Sequence, residues 1–274
     1  MQSRSLSLPV FLAVAGLPLT LGTFLLSSST AFAQTIDHTG GFATHSDLTA
    51  NGTTTFPGGV ARLTTSVPTI QGGTFFNTAA VDITQFTNTF TFALTNLNGA
   101  GGGADGITFI IQNNAPTANG GSGGGLGYTG IANSIAIKYD IFQNLGDPSD
   151  SSTGLSQNGA APFGGTSLYP SGINLRSGDT FRSDMNYDGS LLSVTITDLN
   201  TSISASQSYS VNLPTIVGGS TAFVGFGGGT GAGAANQDIT TWKFVSTRLP
   251  EPGSLSLLAA AGMARFVRRK RRVA

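Results

Sequence analysis

The sequence predicts an all-β protein in which residues 34–249 form a sandwich of two antiparallel sheets. No segment of this range shows helical periodicity over more than a few turns. Short runs rich in Val, Ile, Thr and Phe recur between Gly, Asn, Asp and Pro turns, which is typical of strands. Glycine accounts for 39 of the 274 residues. The spacing of runs and turns suits a two-sheet sandwich.

The individual strands follow from alternating apolar side chains, because every second residue of a strand faces the same side. The run TNTFTFALTN, for example, directs Phe90, Phe92 and Leu94 to one face. The predicted strands are 87–96, 106–113, 134–142, 191–199, 222–228 and 238–244. The glycine-rich stretches 98–106 and 119–128 are too long for tight hairpins. They indicate loops, which is where the binding residues of a rigid scaffold usually lie.

Charged residues make up only 9% of the chain and are unevenly distributed. Residues 34–249 hold six Lys or Arg, twelve Asp and no Glu, which gives this range a net charge of −6. An acidic domain disfavours nucleic acid as a partner and suits hard cations that prefer oxygen ligands. The absence of Cys, with only two His, excludes a disulfide framework and disfavours a zinc site.

Residues 1–33 are predicted to be a secretory signal peptide. A basic start at Arg4 precedes an apolar run, and Ala31 and Ala33 supply the small residues of a cleavage site after Ala33. A membrane anchor that is retained is the alternative.

Residues 250–274 form a predicted sorting tail. Pro250-Glu251-Pro252 precedes a short apolar stretch, Leu255 to Val267, and a basic cluster, RRKRR. This layout resembles the PEP-CTERM sorting signal of exported bacterial proteins. The resemblance implies an envelope of Gram-negative type, transient anchoring in the inner membrane and processing by an exosortase. A basic tail that binds nucleic acid is the alternative.

The stretch IAIKYDIFQNLGDP (135–148) gathers oxygen ligands directly after a predicted buried strand. Asp140 and Asp147 offer carboxylates, Asn144 an amide oxygen and Phe142 a backbone carbonyl. Together with water, these donors supply the six to eight oxygens that Ca²⁺ prefers. A polar turn without a metal is the alternative.

The stretch GADGITFII places Asp105 at the junction of a loop and a strand. A carboxylate held there accepts two hydroxyl hydrogen bonds at once, as a pair of sugar hydroxyls requires. An ordinary Asp-Gly turn is the alternative.

These motifs together resemble the L-type (legume-type) lectins over most of residues 34–249. The matching stretches are VARLTTSVPTIQGGTFFNTAAVDITQFTNTFTFALTN, GADGITFII, GGGLGY, IAIKYDIFQNLGDP, MNYDGSLLSVTITD, AFVGFGGGTG and ITTWKF, in that order. The resemblance implies a jelly-roll (concanavalin-like) sandwich of two large antiparallel sheets with a Ca²⁺-dependent carbohydrate site. The sugar-binding residues it implies are Asp105, Gly124 or Gly125, Asn144, and the backbone around Gly231 and Ala232, with the ring of Phe142 able to stack on a sugar.

Lys138 occupies the position where the plant lectins carry a Glu ligand for a transition metal, and Ser152 occupies that of the His ligand. The resemblance therefore implies one Ca²⁺ and no Mn²⁺. The ammonium group of Lys138 is expected to replace the second cation in part and to hold nearby Asp side chains. A lysine that points to solvent is the alternative.

The sequence therefore predicts an exported bacterial protein that binds glycans or exopolysaccharide, without catalysis, at the cell surface or in the extracellular matrix. A structural matrix protein that lost sugar binding is one alternative. A polysaccharide-active enzyme is another, although glycosidases usually pair Glu carboxylates and residues 34–249 have no Glu. His38 and His45 are interpreted as part of a solvated lead-in, not as catalytic groups.

Overall fold

The computed structural model describes residues 34–247. The strands of this range are β1 (Thr35–His38), β2 (Leu48–Gly52), β3 (Ala61–Thr64), β4 (Gln71–Asn77), β5 (Val81–Asp82), β6 (Phe86–Gly99), β7 (Gly106–Gln112), β8 (Ser134–Asp140), β9 (Ser152–Gln157), β10 (Thr166–Ser167), β11 (Thr180–Tyr187), β12 (Leu191–Asp198), β13 (Ser204–Ser210), β14 (Thr221–Thr230) and β15 (Gly233–Ser246). A short helix, α1 (Leu213–Val217), precedes β14. Each of the six predicted strands coincides with one of these.

The strands form two antiparallel sheets, which confirms the predicted fold class. A seven-stranded sheet has the order β1-β15-β6-β11-β12-β13, and β3 also pairs with β15. An eight-stranded sheet has the order β10-β9-β8-β7-β14-β4-β2, and β5 also pairs with β14. The strands are joined out of sequence order, as in a jelly roll.

Aromatic rings from both sheets meet in the core. Phe90 and Trp242 come from the seven-stranded sheet, and both contact Phe226 of the eight-stranded sheet, with ring centroids 4.8 and 5.2 Å apart. Tyr139, on β8, packs edge-on to Phe90 at 5.6 Å. These four side chains are fully buried. Because the core fixes β8 and β14, it also fixes the loops that leave their ends.

The glycine-rich loop 119–128 lies directly on β14. A β-carbon at Gly229 would lie 2.3 Å from the carbonyl oxygen of Gly123, and one at Gly127 would lie 2.7 Å from the backbone nitrogen of Gly228. Gly127 also has a φ of +69°, which glycine adopts without strain. Side chains at these positions would push the loop away from the sheet.

The interpretation of His38 and His45 as part of a solvated lead-in is wrong. His38 belongs to β1, is 6% exposed and lies opposite Trp242 of β15. Its ring stacks on Phe42 with centroids 4.8 Å apart, and its Nε2 lies 3.1 Å from Oδ2 of Asp47. His45 stacks on Phe56 at 3.9 Å. Aromatic packing therefore holds both imidazoles.

The predicted signal peptide, residues 1–33, and the predicted sorting tail, residues 250–274, lie outside the described residues. Among residues 34–247, no helix is long and apolar enough to cross a bilayer.

Candidate functional site

The candidate site lies at the end of the eight-stranded sheet where β7 begins and β8 ends. Gly106, the first residue of β7, lies opposite Asp140, the last residue of β8. The loop 98–105 before β7 and the loop 141–148 after β8 are therefore neighbours. This pairing brings together two motifs that are separated in the sequence.

Asp105 is held by its backbone, and its carboxyl group accepts no hydrogen bond from residues 34–247. It follows a cis peptide bond. Its N–H donates to the carbonyl of Gly229 at 3.0 Å, and its carbonyl accepts from the N–H of Ile141 at 2.9 Å. Oδ2 lies 3.9 Å from the positions that β-carbons on Gly123 and Gly231 would take. Burial raises the pKa of this carboxyl to about 6, with no hydrogen bond from the described residues to lower it.

The loop 119–128 meets Asn144 through Gly124. A β-carbon at Gly124 would lie 2.9 Å from Nδ2 of Asn144, whereas one at Gly125 would face Thr129, 3.2 Å from its Oγ1. Of the two glycines predicted for this contact, Gly124 is the one that faces Asn144. The Asn144 Nδ2 is buried and has no hydrogen-bond partner within the described chain. It is a buried, unsatisfied donor beside the glycine loop.

The turn between β14 and β15 borders the same site. Gly231 lies beside the carboxyl of Asp105, and Ala232 is exposed. The carbonyl of Ala232 accepts from the N–H of Ala100 at 2.9 Å. This hydrogen bond ties the turn to the loop 98–105. The predicted sugar-binding residues thus converge from four separate loops.

Lys138 joins the two carboxylates of the predicted metal loop. Its Nζ donates to Oδ2 of Asp140 at 3.0 Å and to Oδ1 of Asp147 at 2.5 Å. The other carboxylate oxygens accept from backbone N–H groups. Phe142 donates to Asp140 at 2.9 Å, and Asn144 donates to Asp147 at 3.0 Å. The buried lysine therefore links the end of β8 to the loop that follows it.

The expectation that Lys138 holds nearby Asp side chains is confirmed, and the solvent-facing alternative is wrong, because Lys138 is 1% exposed. One ammonium and two carboxylates leave this buried cluster with a net charge of −1 when all are ionised. Burial raises the pKa of Asp140 to about 7; Lys138 opposes that shift, and Asp147 adds to it. The net charge of the cluster is therefore −1 when Asp140 is ionised and zero when Asp140 is protonated.

The loop carries oxygen atoms of the types that bind calcium. Asp140 and Asp147 supply carboxylate oxygens, Asn144 an amide oxygen and Phe142 a carbonyl, and these are the hard donors that Ca²⁺ prefers. The Lys138 ammonium lies between the same two carboxylates, 3.0 Å from Asp140 and 2.5 Å from Asp147. Among residues 34–247, no three His, Cys, Asp or Glu side chains form a cluster suited to a metal.

The ring of Phe142 packs against the loop 98–105. Its Cε2 lies 2.6 Å from the position that a β-carbon on Gly101 would take. The ring is partly exposed, and the neighbouring Leu145 is 97% exposed. Stacking of Phe142 on a sugar stays a prediction.

Sequence reasoning missed Arg176. Its guanidinium group binds the segment that precedes Asp105 and the residue after β8, Ile141, that pairs with Asp105. Its Nη atoms donate to four backbone carbonyls, and its side chain is 15% exposed. The signal was present in the sequence, since Arg176 is one of only six basic residues between residues 34 and 249.

Comparison with known proteins identifies the family. The legume lectin domain matches residues 38–258, so the chain belongs to the legume lectin domain family. The L-type lectin-domain containing receptor kinase VIII.1 of Arabidopsis thaliana is 31% identical over 189 residues, which cover 65% of this chain and 25% of the kinase. The putative receptor kinase I.1 of the same plant is 26% identical over 215 residues, which cover 69% of this chain and 31% of the kinase. The chain thus spans only about a quarter to a third of these relatives.

Solved lectin structures share the fold. Basic winged bean lectin, solved with Tn-antigen, has a TM-score of 0.70 at 18% identity and covers 80% of this chain and 100% of that lectin. The lectin from Bauhinia forficata, solved with GalNAc, has a TM-score of 0.68 at 22% identity and covers 79% and 99%. Arcelin-5, a lectin-like defense protein from Phaseolus vulgaris, has a TM-score of 0.64 at 19% identity and covers 79% and 99%. The resemblance to L-type lectins is confirmed, and the jelly-roll sandwich with it.

Proposed function

We propose that this protein is an exported bacterial lectin that binds glycans at the cell surface or in the extracellular matrix and catalyses no reaction on them. The convergence of Asp105, Gly124 and Asn144 from three loops carries the proposal. Within the part of the chain that the structure describes, the Asp105 carboxylate and Nδ2 of Asn144 have no hydrogen-bond partner. An acceptor and a donor beside a glycine loop suit a pair of neighbouring sugar hydroxyls.

A sugar at this site is bound through hydrogen bonds of defined direction. The Asp105 carboxylate accepts from two hydroxyls of one sugar, and Nδ2 of Asn144 donates to one of them. Gly124 lets the sugar approach both groups, since a larger residue would contact Asn144. A shallow site of this kind has a Kd near 1 mM, or about −4 kcal/mol. Useful binding therefore requires several copies displayed together.

One Ca²⁺ is assigned to the loop 141–148 with its preceding aspartate. Asp140, Phe142, Asn144 and Asp147 would hold it, and the ion would supply the positive charge that the cluster of net charge −1 lacks. No Mn²⁺ is assigned, because Lys138 and Ser152 stand where the resemblance implies the Glu and His ligands of a second metal. The amide of Asn144 then has one atom for the ion, Oδ1, and one for the sugar, Nδ2.

The two ends of the chain supply the proposed location. Residues 1–33 direct export, and residues 250–274 hold the protein transiently at the inner membrane for an exosortase-type enzyme. Glycans or exopolysaccharide outside the cell are then the partners. Mass spectrometry of the exported protein tests this proposed location, because an intact Val273-Ala274 end would contradict processing of the tail.

A glycan array tests the central proposal. The purified protein, with Ca²⁺ present, is expected to bind a defined set of glycans, and Asp105→Asn to lose them. Chelation is expected to weaken binding, and added Ca²⁺ alone to restore it. Failure of the wild type to bind any glycan favours a structural matrix protein. Release of reducing ends from a polysaccharide favours an enzyme.

A further inference from the structure

The guanidinium group of Arg176 makes several hydrogen bonds to other parts of the same chain. Nη1 donates to the carbonyls of Gly103, at 3.1 Å, and Ile141. Nη2 donates to the carbonyls of Gly101 and Gly102, both at 2.9 Å. A guanidinium carries five N–H donors in a fixed plane, and these contacts use the four on its two Nη atoms.

The fifth donor faces a carboxylate. Nε of Arg176 lies 3.3 Å from Oδ2 of Asp150, whose other oxygen accepts from the hydroxyl of Tyr169 at 2.8 Å. The backbone before Arg176 is fixed as well, because Leu175 is fully buried and its N–H donates to Oγ of Ser151 at 3.1 Å. The guanidinium therefore extends from a rigid segment.

The carbonyls that Arg176 binds belong to the two loops that position Asp105. Residues 101–103 lead directly into Asp105, and Ile141 is the residue whose N–H binds the carbonyl of Asp105 at 2.9 Å. Four of the six residues 98–103 are glycine, and all four (Gly99, Gly101, Gly102 and Gly103) have positive φ. Such a segment has the greatest conformational freedom when it is not tied down.

We infer that Arg176 is a positioning residue for the binding site: its guanidinium fixes the glycine loop 99–103 against Ile141 and so sets the position of the Asp105 carboxyl. This inference rests on the proposed glycan binding and names the residue on which that binding depends. Lysine cannot replace Arg176, because an ammonium has three donors and no planar fork to reach four carbonyls.

The test compares Arg176→Lys, which keeps the charge, and Arg176→Ala with a matched control, Arg182→Lys. Arg182 is 45% exposed and pairs with Asp184 on the same strand. The full-length proteins are measured in two ways: glycan affinity, and hydrogen exchange of the amides of residues 100–106. Arg176→Ala is also assayed with guanidinium chloride well below unfolding concentrations, against equal NaCl.

Arg176→Lys is expected to lose about tenfold or more in glycan affinity. Exchange in residues 100–106 is expected to rise about tenfold while the strands stay protected. Guanidinium, but not NaCl, is expected to recover part of the affinity of Arg176→Ala, which a general loss of stability would not allow. Wild-type affinity and exchange in Arg176→Lys would overturn the inference. If the wild type binds no glycan, the proposed function fails, and the exchange data alone decide whether Arg176 fixes the loop.

Discussion

Replacing Lys138 with Met tests whether a side-chain cation holds the metal loop together. Methionine keeps much of the length of lysine but has no charge and no donor. The change leaves Asp140 and Asp147 facing each other, with exposed fractions of 1% and 6%. Asp140 would keep one backbone hydrogen bond and Asp147 two, but both would lose the ion pair with Lys138.

The expected cost follows from the distances. At an effective dielectric constant of about 20, unit charges 3.0 Å apart attract with roughly 5 kcal/mol, and Lys138 makes two such contacts. Desolvation of the three groups offsets much of this, and truncating one partner of a buried pair costs about 3–5 kcal/mol. Protonation of Asp140 relieves part of the repulsion, since its pKa is already about 7. We therefore expect a loss near the lower end, about 3 kcal/mol.

The measurement is denaturant unfolding of the wild type and Lys138→Met with a chelator present. Lys243→Met is the control, because Lys243 lies 3.2 Å from Asp37 with both side chains more than 40% exposed (47% and 42%). Surface pairs of this kind contribute at most about 1 kcal/mol. An equal, small loss in both variants would refute the claim that Lys138 braces the loop.

Three further predictions concern the sugar site. Asp105→Asn is expected to lower glycan affinity by at least about tenfold in calorimetric titration, since its amide has one acceptor oxygen in place of two. Glycan affinity is expected to fall as the pH drops through about 6, where Asp105 gains a proton. Because its pKa is raised on folding, this protonation favours the folded state, and circular dichroism should show no Asp105-linked unfolding between pH 6 and 4. Gly124→Ala is expected to lower affinity, since its β-carbon would lie 2.9 Å from Asn144, whereas Gly40→Ala, which meets nothing within 4 Å, should bind normally.

The central strands were predictable because their side chains alternate. Phe90 and Phe92 on β6 point into the core as the alternating pattern indicates, because burial of apolar side chains stabilises this orientation. The edge strands were harder. β1 has only four residues, Thr35–His38, and its pairing with β15 depends on a partner more than 200 residues away. The polar local sequence suggested a solvated segment before the first strand. Tertiary packing of His38 instead holds these residues as a strand.

For the site, the sequence named the residues but not their mutual contacts. Asp105 and Asp140 stand out as isolated charges in an apolar chain, and β7–β8 pairing makes them neighbours. The choice between Gly124 and Gly125 depends on how the glycine loop turns, which no local pattern encodes. The two Nη atoms of Arg176 bind backbone carbonyls, which every residue type carries, so the sequence does not mark these partners.

Charge connects Lys138 to the metal requirement of this domain. In the pattern that the chain resembles, a Glu ligand and a dication at the second position together add one positive charge beside the two aspartates. The single ammonium of Lys138 adds the same charge at 3.0 and 2.5 Å from those carboxylates. The charge that Lys138 supplies therefore equals the one that the resemblance implies at this position, and the cluster has a net charge of −1 when both aspartates are ionised. Because Lys138 is part of the chain, we expect its contacts with Asp140 and Asp147 to persist at every metal concentration. Only the orientation of Asn144 is then expected to depend on the proposed Ca²⁺.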